Sequence, residues 1–293
     1  MSGYRVLGDW GTTRLRLFRV EDGAVTDRVY GDGIGTPGIA PEAVLRDTLA
    51  GWIAKGAPES IRLCGMVGAR DGWREVPYTD CPATRTEWLA AATTLTLDGV
   101  PVEIMAGLAC VDAESVPDVM RGEETQLYGA LALSPELASG RHIVILPGTH
   151  SKWAVIEDGA ITGVRTILTG ELFALLRQHS TLARGLAAGD AVVEAEGFAA
   201  GLVRAERGVL SGLFGARAMQ LRGGKTPDWA LGYLSGLVIG GEIAEMRATL
   251  ADASGVTIIG DPRLADLYTQ AFAQHDIAVQ RLDGDACVLA GLS

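Results

Sequence analysis

With 293 residues, 48% apolar, 6% aromatic and 21% charged, the chain has the composition of an ordered globular protein, not of a disordered tail, a collagenous repeat or a coiled coil. At roughly 100–200 residues per domain, its length accommodates two domains sharing a cleft. The net charge of −11 argues against a nucleic-acid or anionic-membrane surface, yet permits a phosphorylated ligand held by backbone N–H groups and a divalent cation.

The first elements repeat. Arg5-Val6-Leu7-Gly8 reads as a buried strand, followed by a Gly11-Thr12 turn and an alternating strand with Leu15 and Leu17 on one face. Asp22-Gly23 then supplies a hairpin turn, because Asp and Gly tolerate positive φ. His142 to Leu146, the turn Gly148-Thr149 and Asp158-Gly159 restate this plan in the middle of the chain, so each half is expected to begin with a three-stranded antiparallel meander. Ala43 to Ala54 predicts a helix and Ile61 to Met66 a strand, with a compact crossover near residues 112–130. Leu172, Leu175, Leu176 and His179 define one face of a helix starting near Gly170. Residues 190–222 and 228–250 read as helical, with small residues suited to close helix packing. Val256 to Ile259 is a strand ending at Gly260-Asp261-Pro262, where Pro262 suits the first turn of the next helix. Asp285 to Leu292 closes as a short apolar helix.

No apolar run reaches the roughly 18 residues of a membrane span, and the first residues lack a signal-peptide core. A cytoplasmic protein with no membrane partner and no nucleic-acid partner is expected. Cys64, Cys81, Cys110 and Cys287 lie far apart without a C-x-x-C pair, which predicts free thiols in a reducing compartment and no zinc site.

Two Gly-Thr turns after buried strands are the plan of phosphate loops, where small residues let backbone amides approach phosphate oxygens. In the order of its parts the chain resembles the actin-like ATPase and sugar-kinase superfamily. Asp9-Trp10-Gly11-Thr12-Thr13 resembles its first phosphate loop and Pro147-Gly148-Thr149-His150-Ser151-Lys152 its second. Ile259-Gly260-Asp261-Pro262 resembles its adenosine segment. Cys64 to Tyr78, Met120 to Gln126 and Leu146 to Trp153 look like signature segments of the 2-dehydro-3-deoxygalactonokinase family, and the likeness runs from residue 5 to residue 293. Cys64 and Ala69 stand where that family leads us to expect serines.

The resemblance implies an α/β fold of two ribonuclease-H-like (actin-like ATPase) domains with a nucleotide cleft between them. Residues 1–120 with 280–293 would form the sugar-acid and first-loop domain, and residues 121–279 the nucleotide domain. It implies ATP and Mg2+ as cofactors, a small-molecule sugar acid as acceptor, and phosphorylation of the 6-hydroxyl of 2-dehydro-3-deoxy-D-galactonate in galactonate catabolism. Another sugar or sugar-acid kinase, or a non-catalytic sugar-acid-binding regulator, is the alternative. A homo-oligomer is left open.

Phosphoryl transfer to an alcohol needs a carboxylate for the hydroxyl proton. Glu123 and Glu124 follow Gly122 at a helix start, where the dipole favours negative charge. Glu123 leads Glu124 as base, and the pattern is also similar to the exopolyphosphatases. Asp9 is the third candidate, better suited to the metal. Gly11, Thr12, Thr13, Gly148, Thr149, His150, Ser151, Lys152, Gly260 and Asp261 are the candidate nucleotide residues. His150 and Lys152 are equally readable as a turn hydrogen bond and a solvated strand position. On the acceptor side Arg70 suits a carboxylate bidentately, with Trp73 and Tyr78 against the carbon chain. The glycine-rich stretch at 31–38, with Gly35 at its centre, is either a substrate-side loop or a turn cluster.

Overall fold

The computed structural model of the chain describes residues 3–182, 193–251, 253 and 255–293. Strands β1 (Arg5–Trp10), β2 (Arg14–Glu21) and β3 (Ala24–Asp32) form the expected antiparallel meander. Helix α1 (Pro41–Ile53) buries Leu45, Leu49 and Trp52 and leads into β4 (Ser60–Cys64), which pairs in parallel with β1. The stretch beyond is built of short elements: β5 (Tyr78–Asp80), α2 (Arg85–Ala90), β6 (Thr93–Leu97), β7 (Val100–Ile104), β8 (Gly107–Val111) and β9 (Pro117–Met120). They complete a six-stranded sheet of order β3-β2-β1-β4-β7-β6 and add a three-stranded sheet, β5-β8-β9. The crossover is helix α3 (Glu123–Leu133).

The second half repeats the first. β10 (Arg141–Leu146), β11 (Ser151–Glu157) and β12 (Ala160–Ile167) are followed by α4 (Thr169–His179), α5 (Ala195–Ala205), α6 (Val209–Arg222) and α7 (Pro227–Glu245). Then come β13 (Val256–Ile259), α8 (Pro262–Ala273), β14 (Val279–Leu282) and α9 (Gly284–Leu292). The sheet order β12-β11-β10-β13-β14, with β10 and β13 parallel, restates β3-β2-β1-β4. Even the turns match: Asp22 and Gly23 have φ of 49° and 81°, Asp158 and Gly159 of 47° and 81°. Consecutive positive φ values are what a twist-compatible two-residue hairpin requires.

The chain divides into two compact units, Met1–Arg141 with Ala154–Val164 and Leu282–Ser293, and His142–Trp153 with Arg165–Arg281. In the first, α3 and α9 meet backbone to backbone. A Cβ on Gly129 would lie 1.8 Å from the Cys287 carbonyl oxygen, and one on Gly291 2.1 Å from that of Thr125. In the second, α5 and α7 cross as tightly, since a Cβ on Gly236 would fall 2.0 Å from the Phe198 carbonyl oxygen.

Three expectations change. Cys81 and Cys110 are joined as a disulfide, with Cα atoms 5.1 Å apart, while Cys64 and Cys287 are free and buried. The parallel pairing of β5 with β8, continued by the Cys81 N–H donating to the Ala109 carbonyl at 2.8 Å, juxtaposes residues distant in sequence. On α4 the core face carries Phe173 and Leu176, whereas Leu172 and Leu175 are exposed. The helical stretch at 190–222 is two helices, interrupted before Val209 by Gly208 at φ 102°, and its first residues, 190–192, lie outside the described residues. Among the described residues no helix is long and apolar enough to cross a membrane.

Candidate active site

The parallel β1–β4 pair sets Asp9 beside Cys64 at the carboxyl ends of both strands, where open α/β sheets bind ligands. Asp9 accepts from Arg16 Nη2, and Arg16 Nη1 donates to Asp285 of α9 at 2.6 Å. The turn Gly11–Thr13 follows. It is braced by the glycine-rich loop, through Ile34 N–H to the Gly11 carbonyl at 3.0 Å and Gly35 N–H to the Thr12 carbonyl at 2.9 Å. A Cβ on Gly33 would sit 2.2 Å from the Thr12 carbonyl oxygen, so only glycine fits. Gly35 thus packs against Thr12, and Gly33 to Gly35 lie directly against the first loop.

Helix α3 starts at Gly122, whose φ of 114° suits glycine alone. Glu124 is fully buried and accepts from its own helix start, the Gly122 N–H, at 2.7 Å. Burial, and next the Glu123 charge, raise its carboxyl to about 8. Cys64, also fully buried, is raised by burial and by the charges of Asp9 and Glu124. Glu123 is half-buried and, with Asp9, Gly11, Arg16, Arg121 and Gln126, lines a hollow of about 170 Å³. Asp9, Gly11 and Thr13 also line a polar depression beside Arg14 and Arg16.

The loop after β4 carries the acceptor-side candidates. Arg70 is exposed, and neither hollow of the first loop includes it. Trp73 Nε1 donates to Glu42 Oε1 at 3.4 Å. Tyr78 is exposed and stacks under a cation the sequence reading passed over, Arg121, whose Cζ lies 4.3 Å from the ring centroid. An arginine next to a Gly-Glu-Glu helix start carries no local mark of that contact.

In the second unit Gly148 lines an apolar hollow of about 150 Å³ with Pro147, Gly170, Phe173, Leu264 and Tyr268. The Thr149 carbonyl accepts from Glu171 N–H at 2.9 Å, and His150 Nε2 lies 2.6 Å from Glu171 Oε2. Ser151 and Lys152 turn inward: Ser151 donates to Glu242 at 2.7 Å and Lys152 to Thr166 at 2.7 Å. Their side chains are buried, so backbone is what this part of the loop offers a ligand. Gly260 takes φ 152°, and Asp261 caps α8 by accepting from Arg263 N–H at 2.9 Å and Leu264 N–H at 3.3 Å. Glu242 of α7, unmarked in the sequence, is the buried hub. It accepts from Ser151, Trp153 Nε1 at 2.6 Å, Thr169 and Tyr268 at 2.6 Å, which joins the starts of β11 and α4 to α8. Burial raises its carboxyl despite these donors.

The doubled strand order, with a Gly-Thr turn after the first strand of each half, defines the α/β fold of the actin-like ATPases and sugar kinases. Two distant solved structures share the fold alone: acetate kinase of Entamoeba histolytica (TM-score 0.55, 6% identity, 98% of this chain and 97% of that one) and component A of the Acidaminococcus fermentans (R)-2-hydroxyglutaryl-CoA dehydratase (0.52, 12%, 99% and 96%). Within that class the chain belongs to the 2-keto-3-deoxy-galactonokinase family, whose profile matches residues 9–293. It is 35% identical to the 2-dehydro-3-deoxygalactonokinase of Escherichia coli (strain K12), over 100% of this chain and 97% of the relative. A Rhizobium meliloti (strain 1021) relative is 38% identical over 100% of this chain and 96% of its own. A solved structure from Sinorhizobium meliloti has a TM-score of 0.88 at 37% identity, covering 99% of this chain and 97% of the other.

Proposed function

We propose that the chain transfers the γ-phosphoryl group of ATP to the 6-hydroxyl of 2-dehydro-3-deoxy-D-galactonate. The observation that carries this, beside family membership, is that Asp9 and Glu123 line one small hollow against the Gly11 turn. The hydroxyl oxygen forms the new bond to phosphorus, the bond to the β,γ-bridging oxygen breaks and ADP leaves. Glu123 accepts the hydroxyl proton as the oxygen attacks. Glu124, buried and bonded to the Gly122 N–H, fixes the first turn of α3 so that Glu123 faces the hollow. The apolar hollow bounded by Phe173, Leu264 and Tyr268 suits the adenine ring, and the backbone at Gly148 and Thr149 suits phosphate.

Magnesium fits a site with one carboxylate, because Mg2+ keeps several waters and takes its remaining ligands from phosphate oxygens. Among the described residues no group of three His, Cys, Asp or Glu side chains could hold a metal by itself. Asp9 would hold the ion, which supplies neutralisation of the charge on the phosphates.

Coupled ADP release with purified protein tests the reading, using 2-keto-3-deoxy sugar acids as acceptors and simple aldoses as controls. Metal-dependent turnover is expected with the six-carbon galacto acid above all others. Faster turnover of an aldose, or binding of the acid without ADP release, would overturn it.

A further inference from the structure

We propose that Arg121, supported by the Tyr78 ring, recognises the carboxylate of the acceptor. The inference rests on the sugar-acid kinase reading above. Arg121 links β9 to the Gly122 start of α3 and lines the hollow that holds Asp9 and Glu123. Its guanidinium is fastened to the loop after β4. Nη2 donates to the Val76 carbonyl at 2.7 Å, the plane lies over Tyr78, and a Cβ on Gly68 would come within 3.0 Å of Nη1.

What marks the group is what it lacks. Nε and Nη1 are buried without a hydrogen-bond partner, although the charge of Arg121 acts on the neighbouring buried Glu124 carboxyl. Arginine stays protonated in proteins, so this burial cannot be relieved by losing the charge. Buried guanidinium donors left without an acceptor are costly, and an acceptor brought by a ligand would complete them. The other buried-edge cation of the hollow, Arg16, is already neutralised by Asp9 and Asp285. Arg70, the guanidinium singled out by sequence, is exposed and would have to be ordered and desolvated by the ligand. A carboxylate, with two acceptor oxygens, matches the donors Arg121 has unspent. A guanidinium already stacked and anchored loses little freedom in meeting it.

The test is calorimetric titration of the full chain with 2-dehydro-3-deoxy-D-galactonate, with the neutral primary amide of that acid, and with ATP. Arg121→Gln should weaken the acid roughly ten- to hundredfold and leave the amide and ATP unchanged. Arg121→Lys should recover only part, since an ammonium lacks the planar fork. A merely structural Arg121 would lower the melting temperature of the ligand-free protein when replaced. Here Arg121→Gln should leave it close to native, because the lost Val76 hydrogen bond and Tyr78 stacking are offset by removing two buried donors that have no acceptor. If Arg121→Gln does not fold, Arg121→Lys and Tyr78→Leu decide, each expected to weaken the acid and spare the amide. Equal losses for acid and amide, unaltered acid binding, or a loss confined to ATP would overturn the assignment. Arg121-dependent acid binding without ADP release would refute the kinase reading alone. Unchanged KM for the acid in a turning-over Arg121→Gln enzyme would refute Arg121 alone. A native chain that binds no acid would refute both.

Discussion

Asp9 shares its carboxylate between Arg16 and the hollow, and the division explains what its charge does. Asp9→Asn keeps a partner for Arg16 but loses the anion. Turnover should fall at least about a hundredfold, the scale of losing a key electrostatic group, with a higher magnesium requirement in a metal titration. Glu123→Gln should lower kcat by roughly 10²–10⁴, the usual contribution of a general base, while acid binding persists in the same calorimetric assay. Glu124 behaves differently because it is buried. Its folded-state carboxyl is raised to about 8, mainly by burial and then by Glu123. A raised acid contributes stability that is complete below its ordinary value near 4.5 and is lost as pH rises through about 8. The melting temperature of the native chain, relative to Glu124→Gln, should therefore decline between pH 5 and about pH 8. Parallel melting curves across that range would contradict the buried acid. The pair was legible in sequence as a helix-start Glu-Glu, and the exposure that separates their roles was not. Glu242 and Arg121 left no local trace, because each is defined by donors or rings that arrive from other elements.

At the scale of elements, α3 holds Glu123 in place by lying directly on α9. Adding a methyl at Gly129 drives it against the Cys287 carbonyl, and neither backbone can yield without displacing a helix. Overpacking of this kind costs about 1–3 kcal/mol or more. Gly129→Ala should lower the urea midpoint and reduce kcat together, and leave ATP affinity close to native. A variant with native kcat would show that α3 does not need this contact. Elements with strong local signals were readable: the meanders, α1, α7 within the helical stretch 228–250, and the start of α8 at Pro262 appear where the sequence led us to expect them. The stretch from β5 to β9 was not, since strands of three to five residues carry too few alternations to declare a face. The Cys81–Cys110 pairing was hidden for the same reason, being set by the β5–β8 register and not by spacing along the chain. On α4 the apolar residues outnumber one face, and the partner side chains of α7 and neighbouring helices select Phe173 and Leu176 from among them.

For the whole molecule, the duplication was legible because Gly-Thr and Asp-Gly turns obey local backbone rules in both halves, whereas the grouping of the C-terminal segment, residues 282–293, with the first unit is a long-range fact that the family resemblance implied and no local signal did. Those residues bind that unit in four ways. Cys287, Val288 and Leu292 are buried. Asp285 accepts from Arg16 at 2.6 Å, and Arg62 Nη1 donates to the Leu292 carbonyl at 2.6 Å. Arg85 Nη2 donates to the Gly291 and Ser293 carbonyls at 3.3 and 2.9 Å, so two arginines meet the carboxyl end of α9, where the helix dipole favours cations. Burying a Val or Leu side chain is worth about 1.5–3 kcal/mol each, against a total stability of about 5–15 kcal/mol for a typical domain. Deleting residues 284–293 removes these contacts at once, uncovers the face of α3 that Gly129 presents, and strips Arg16 of its second carboxylate. The truncated chain should lose the near-ultraviolet circular dichroism of the first unit and all sugar-acid binding. By contrast Asp285→Asn, which removes only the Arg16 partner, should keep a native spectrum with a modestly lower melting temperature. A truncated chain that retains a native spectrum and still binds the acid would mean that α3 and β1 hold the hollow together without α9.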